Sequence, residues 1–189
     1  MALPTELTIM GDLRDAPPVL LVVAIFSRHP EAIGWARDKL TSVYGSIGLE
    51  SPLYDFHHTT YYASEMGSGL QKQLVAFERL VDAERLPDIK LHTNELERDL
   101  AASGRYPEPR PLNLDPGILT LGKFMLATTK DQTHRISLRD GIFAEVTLRY
   151  QAGAFEPWPW TYADYREPLV LDFLNQAREY YRQRVRASP

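Results

Sequence analysis

The chain has 189 residues, 44% of them hydrophobic and 24% charged, which is the make-up of one soluble globular domain with a real core. A net charge of -4 lacks the basic excess of a general nucleic-acid binder. The absence of cysteine excludes disulfides, thiolate catalysis and Cys-ligated metal centres. The longest apolar run, residues 19–26, is too short to span a bilayer, and nothing at the start reads as a signal peptide. A cytoplasmic protein without membrane contact is the expectation.

Residues 1–17 are mixed, close on Pro17-Pro18, and read as a loosely held arm ahead of one domain over residues 18–182. Residues 19–26 (VLLVVAIF) form a continuous β-branched and aromatic run, which suits a strand covered on both faces. Ser27 and Pro30 stand where a helix can start; Ile33, Ala36, Leu40 and Tyr44 keep helical spacing, and Gly45 stops it. Residues 53–62, aromatic and Thr-rich, and residues 70–80 read as two extended segments. Gly67 and Gly69 lie between them, which predicts a hairpin. Residues 83–102 predict a helix with a start near Thr93-Asn94, followed by a Pro-rich loop over residues 103–111. This order, β-α-β-β-α, becomes a split β-α-β sandwich of the ferredoxin-like kind if residues 112–120 supply the next strand. Residues 121–129 fit a short helix or a strand equally. Asp140-Gly141, between residues 135–139 and 142–149, is the strongest hairpin signal in the chain. Residues 152–165 read as a Pro- and Trp-rich connection. Pro168 can open a last helix with Leu171, Leu174, Ala177 and Tyr181 on one face, and the basic tail over residues 183–189 is expected to fray. The fold class expected is α+β: a single domain, its sheet mixed or mainly antiparallel, helices on one face and a C-terminal helix closing the structure.

The runs NLDPGILTLGKFMLATTKDQTHRISL, GIFAEVTLRY and FEPWPWTYADY resemble an uncharacterised bacterial family, domain of unknown function 4416. LYDFHHTTYYASEMG and IKLHTNELE are similar to its earlier blocks, so the resemblance runs from about Pro18 to Tyr180. It implies no established activity. Some members carry the label "GTP-binding protein", which the residues can be held against. Residues 117–123 spell G-x-x-x-x-G-K, but Phe124 stands where a phosphate loop needs a magnesium-binding Ser or Thr. The four intervening residues are bulky and mostly apolar, and no Asn-Lys-x-Asp motif occurs. A core strand or helix with Lys123 reaching solvent accounts for the same residues.

The candidate site is the stretch of residues 113–150, where polar groups interrupt an apolar run. Thr129, Lys130, His134 and Arg135 can hold a phosphate or carboxylate; equally, they form a turn whose side chains satisfy local backbone groups. A two-residue Asp140-Gly141 loop would set Ile136 opposite Glu145 and His134 opposite Thr147, with His134, Ile136, Leu138, Phe143, Glu145 and Thr147 on one face. His134 and Glu145 are then the catalytic candidates as an acid–base pair, against the alternative of a buried ion pair. Asp115, Lys123, Thr129, Lys130, Arg135 and Trp160 are the ligand-binding candidates. Neighbouring His57 and His58 point to opposite faces of a strand, no tight ligand spacing occurs, and no metal is expected. The residues name no cofactor. Trp158, Trp160, Tyr162 and Tyr165 form either a stacking surface or a lid over a core. Two functions follow: a ligand-binding domain or enzyme for a phosphorylated small molecule or nucleotide, or a non-enzymatic module binding a protein or RNA through residues 155–165.

Overall fold

Strand β1 (Leu20–Ser27) is buried at all eight positions because it lies mid-sheet and is covered on both sides. The computed structural model describes residues 16–57 and 63–187. Leu21, Val23 and Ile25 pack beneath helices α1 (Pro30–Tyr44) and α3 (Leu86–Ala102). Leu20, Val22 and Ala24 face the opposite helix α4 (Pro168–Ala187), whose Val170, Phe173, Leu174, Ala177 and Tyr181 cover that side. The molecule is thus α+β, two helices on one face and the C-terminal helix closing the other. A single-turn helix α2 (Ala63–Met66) completes the set among the described residues.

The sheet adds β2 (Ile47–Glu50), β3 (Tyr54–Asp55), β4 (Gln71–Phe77), β5 (Asn113–Leu119), β6 (Lys123–Thr128), β7 (Ile136–Arg139), β8 (Ile142–Gln151) and β9 (Ala154–Pro157). Among the described residues these strands form one sheet in the order β2-β4-β1-β5-β6-β8-β7, with β3 on β4 and β9 on β8. Every pairing is antiparallel.

Several expectations change. The main hairpin partner of β4 is β2, a four-residue strand too short to announce itself. From residues 53–62 only Tyr54 and Asp55 pair with β4, and residues 58–62 lie outside the described set. Helix α3 begins at Leu86, a turn and more before Thr93, because Pro87 fits the first helical positions, where no N–H is needed. Residues 121–129 resolve to strand β6. The connection after β8 is itself a tight turn, with Ala152 and Gly153 at φ of 50° and 94°, returning the chain as β9. Helix α4 runs to Ala187 and takes in Arg182, Arg184 and Arg186.

Asp140 and Gly141 sit at φ of 56° and 73°, the left-handed pair a two-residue hairpin needs. Beyond the turn the register slips. Arg139 opposes Ile142, but Ser137 opposes Phe143 and Ile136 opposes Ala144, so Leu138 is the extra residue of a bulge. The expected pairing of Ile136 with Glu145 is therefore wrong by one, and Ile136 turns outward, 69% exposed.

One irregularity shapes the site. β5 and β6 pair at only three positions: Leu119 with Phe124, Ile118 with Met125, and Gly117 with Leu126. Both strands continue, β5 back to Asn113 and β6 on to Thr128, yet the ladder between them stops. Pro116, the next residue of β5, has no N–H to donate. Just beyond it, at Leu114, two α3 side chains take the place of the missing strand. Glu97 accepts the Leu114 N–H at 2.8 Å and Lys90 donates to the Leu114 carbonyl at 2.8 Å.

Candidate functional site

The parting of β5 and β6 opens a cavity of about 830 Å³. β5 supplies Asn113 and Asp115; β6 and its continuation supply Leu126, Ala127, Thr128, Thr129 and Lys130; β8 supplies Glu145. α3 contributes Lys90, Asn94, Glu97, Arg98 and Ala101, β4 contributes Lys72, and the turn Ala163–Arg166 contributes Ala163, Asp164 and Tyr165.

Among the described residues, four Lys or Arg ion pairs of 3.5 Å or closer border or back this cavity, and Arg110 also lies 3.7 Å from Glu65. Lys72 donates to Asp164 at 2.5 Å, and its ammonium lies 5.2, 5.3 and 4.6 Å from the ring centres of Phe26, Phe56 and Tyr165. The aromatic faces and the carboxylate together replace the water that a buried ammonium loses. Lys90 lies 3.5 Å from Asp115. Arg110 donates through Nε and Nη2 to Glu97 and also to the Asn113 side-chain oxygen. Burial pushes the Glu97 carboxyl above its ordinary range, with Lys90 and Arg110 pulling the other way. Arg135 donates from Nε to Glu145 at 2.8 Å, from Nη1 to the Lys130 carbonyl at 2.8 Å and from Nη2 to the Tyr162 hydroxyl at 2.5 Å. Burial raises the Tyr162 hydroxyl above its usual value, and the neighbouring Glu145 adds to the shift.

The topology explains why residues 129–135 gather here. β7 lies beyond β8 from β6, so the connecting segment crosses β8 before pairing with it. That crossing brings His134 and Arg135 onto Glu145 without the strand register expected from the hairpin alone. His134 Nε2 is 3.2 Å from Glu145 Oε2, and Thr147 donates to Glu145 Oε1 at 3.3 Å. Glu145 is thus held by His134, Arg135 and Thr147 and is 2% exposed.

Of the residues singled out from the sequence, Asp115, Thr129, Lys130 and Glu145 border the cavity. Arg135 stands behind Glu145, and His134 lies outside the wall, stacked on Trp160 at 5.2 Å. Trp160 is also stacked on Trp158 at 5.1 Å, and Arg149 lies 4.6 Å over Trp158. Lys123 is exposed at the far end of β6, beside the turn where Thr120 Oγ1 accepts its backbone N–H at 3.2 Å. Gly117 is a strand residue, where a Cβ would stand 2.6 Å from the Met125 carbonyl oxygen. The G-x-x-x-x-G-K stretch is therefore two strands and a turn, with no cradle of inward amides. Lys72, Lys90, Glu97, Arg110, Asn113 and Asp164 were not picked out. A signal was present for Lys90: it stands on the buried stripe of α3 with Leu86, Thr93 and Leu100, where a lysine is out of place. Among the described residues no group of three or more His, Asp or Glu gathers as metal ligands, and His58 lies outside that set.

A family model described as "Domain of unknown function (DUF4416)" matches residues 17–181, nearly the whole chain. The protein belongs to that family. No curated protein matches the chain. Membership in DUF4416 brings no activity with it, so function has to be argued from the cavity. Among the described residues of this DUF4416 protein, no helix is long and apolar enough to cross a membrane.

Proposed function

We propose that this DUF4416 domain binds a small anionic molecule, of the phosphorylated-metabolite or nucleotide class, in the cavity between β5 and β6. One observation carries the reading: charged side chains from β4, β5, β8 and α3 converge on a single cavity. Its volume lies in the range of about 300–1,000 Å³ found for small-molecule sites. Buried charge is costly to maintain, and a fold that gathers it around an open space has a wet, polar site there. Lys72, Lys90, Arg98, Arg110 and Lys130 supply cationic groups on the walls, and Tyr162 and Phe56 supply ring faces. Whether chemistry follows binding rests on Asp115 and Glu145, the two carboxylates read from the sequence that border the cavity.

Thermal melting of the full chain against nucleotides, sugar phosphates and carboxylates tests this. A ligand at a hundred times its Kd stabilises by about 2.7 kcal/mol, a readily measured shift. At least one anionic small molecule should raise Tm, and Asp115→Asn should reduce that rise. A flat response across the panel would refute small-molecule binding. The second reading, a protein- or RNA-binding surface, draws on the exposed faces of Trp160 and Tyr162. Its support is thinner, because Trp160 is already stacked on His134 and Trp158 and donates to the Val146 carbonyl at 3.2 Å.

A further inference from the structure

The four ion pairs differ in how completely they satisfy each other. Both oxygens of Glu145 accept hydrogen bonds, from His134 and Arg135 on one and Thr147 on the other. Both oxygens of Glu97 are likewise taken, by Leu114 N–H and by Arg110. Lys72 and Asp164 are in direct contact at 2.5 Å, with side chains only 3% and 8% exposed. Lys90 and Asp115 are different. Their separation is 3.5 Å, and the Asp115 side chain is 30% exposed. Asp115 Oδ2 accepts no hydrogen bond from any described residue, and Lys90 spends two of its three N–H groups, one on a carbonyl and one on this long contact.

The neighbouring Asn113 points the same way. Arg110 has only donors, so the Asn113 oxygen must face it and the amide nitrogen must face elsewhere. That nitrogen is buried with no acceptor, on a residue that lines the same cavity. One cavity is thus lined by a carboxylate with an unmatched oxygen and by Lys90 and Asn113, each with an unmatched donor.

We infer that Lys90 and Asp115 are the ligand-recognising pair, and that they select a small molecule carrying an oxyanion next to a hydroxyl or amino group. The oxyanion would take the free N–H of Lys90, and the adjacent O–H or N–H would donate to Asp115. The closeness of the two side chains requires the two ligand groups to be neighbours, as in hydroxy acids, amino acids and sugar phosphates. The inference rests on the cavity being a small-molecule site, as proposed above.

Matched probes that differ by one such group test it on the full chain by calorimetric titration: malate against succinate, and 2-hydroxypropyl phosphate against propyl phosphate. The hydroxylated member of at least one pair should bind about tenfold or more tightly, the ratio expected for one hydrogen bond to a charged acceptor. Asp115→Asn should erase the preference while the oxyanion still binds. Lys90→Met should weaken both members of the pair. If Lys90→Met perturbs folding, the Asp115→Asn result decides alone, since Asn keeps the size of Asp while removing its charge and turning one acceptor oxygen into a donor. Equal binding of each pair, or a preference that survives Asp115→Asn, overturns the inference and leaves small-molecule binding standing. Failure of every probe, together with a flat melting panel, overturns both.

Discussion

Arg135 and Glu145 each have side chains 1% exposed, so their charges are withdrawn from water and depend on each other. Removing one partner of such a pair leaves the other buried and unmatched, at a cost of about 3–5 kcal/mol. Arg135→Met should therefore lower stability by about that much, and urea denaturation checks it; a change within about 0.5 kcal/mol would show that Glu145 finds water instead. His134 was expected to act with Glu145, and the contact exists. It exists for a reason the sequence does not carry, because a bulge at Leu138 and a crossing segment set it, not strand alternation. Glu97 offers a test by pH. Its carboxyl is raised by burial, so the folded state holds that proton more tightly than the unfolded chain. Stability from this group is present at low pH and is lost as pH rises from the unfolded value of about 4.3 through the higher folded value. In Glu97→Gln that loss should vanish, so Tm of the variant minus Tm of wild type should grow between about pH 4.3 and neutrality. A constant difference would show that Glu97 titrates as an ordinary carboxyl.

At the scale of elements, the buried run over residues 19–26 read correctly, because only a strand covered on both faces tolerates apolar side chains at every position. Val23 lies in that strand with no exposure, in the cluster under α1 and α3. Val23→Asp should place an unpaired carboxylate there, costing several kcal/mol against a total stability of about 5–15, and the variant should be unfolded by circular dichroism at room temperature. The Asp140-Gly141 turn and the Pro168 helix start were legible for the same local reason: backbone geometry at those places admits few residues. β2, β9 and the early start of α3 were not: β2 depends on β4, distant in sequence, and β9, though it follows β8 across a tight turn, is too short at four residues to show a pattern of its own. The same holds for the G-x-x-x-x-G-K stretch, whose spacing suggests a loop although it folds as β5, a turn and β6. Purified protein should show no magnesium-dependent GTP hydrolysis through that stretch; turnover abolished by Lys123→Ala, with the fold intact, would contradict this.

At the scale of the molecule, the single-domain α+β architecture followed from the alternation of strand and helix patterns, while the cavity did not, since it arises where two strands fail to pair. That failure divides the sheet by sequence. Residues 20–77 and 113–119 build one side, β2-β4-β1-β5. Residues 123–157 build the other, β6-β8-β7 with β9, and only three residue pairs join them. Helix α4 bridges the join from one face, touching β4, β5 and β9. Such a join is where slow breathing of the sheet should begin. Native-state hydrogen exchange would reveal it: amides of β1 should exchange only on global unfolding, whereas Leu126 and its partners at the join should exchange sooner. The Leu114 amide, guarded by a carboxylate and not by a strand, would have a lifetime that answers to whatever occupies the cavity. In that sense the unpaired edge is a built-in reporter, and a ligand that settles between Lys90 and Asp115 would be read in the exchange rate of one backbone proton before any change of shape is seen.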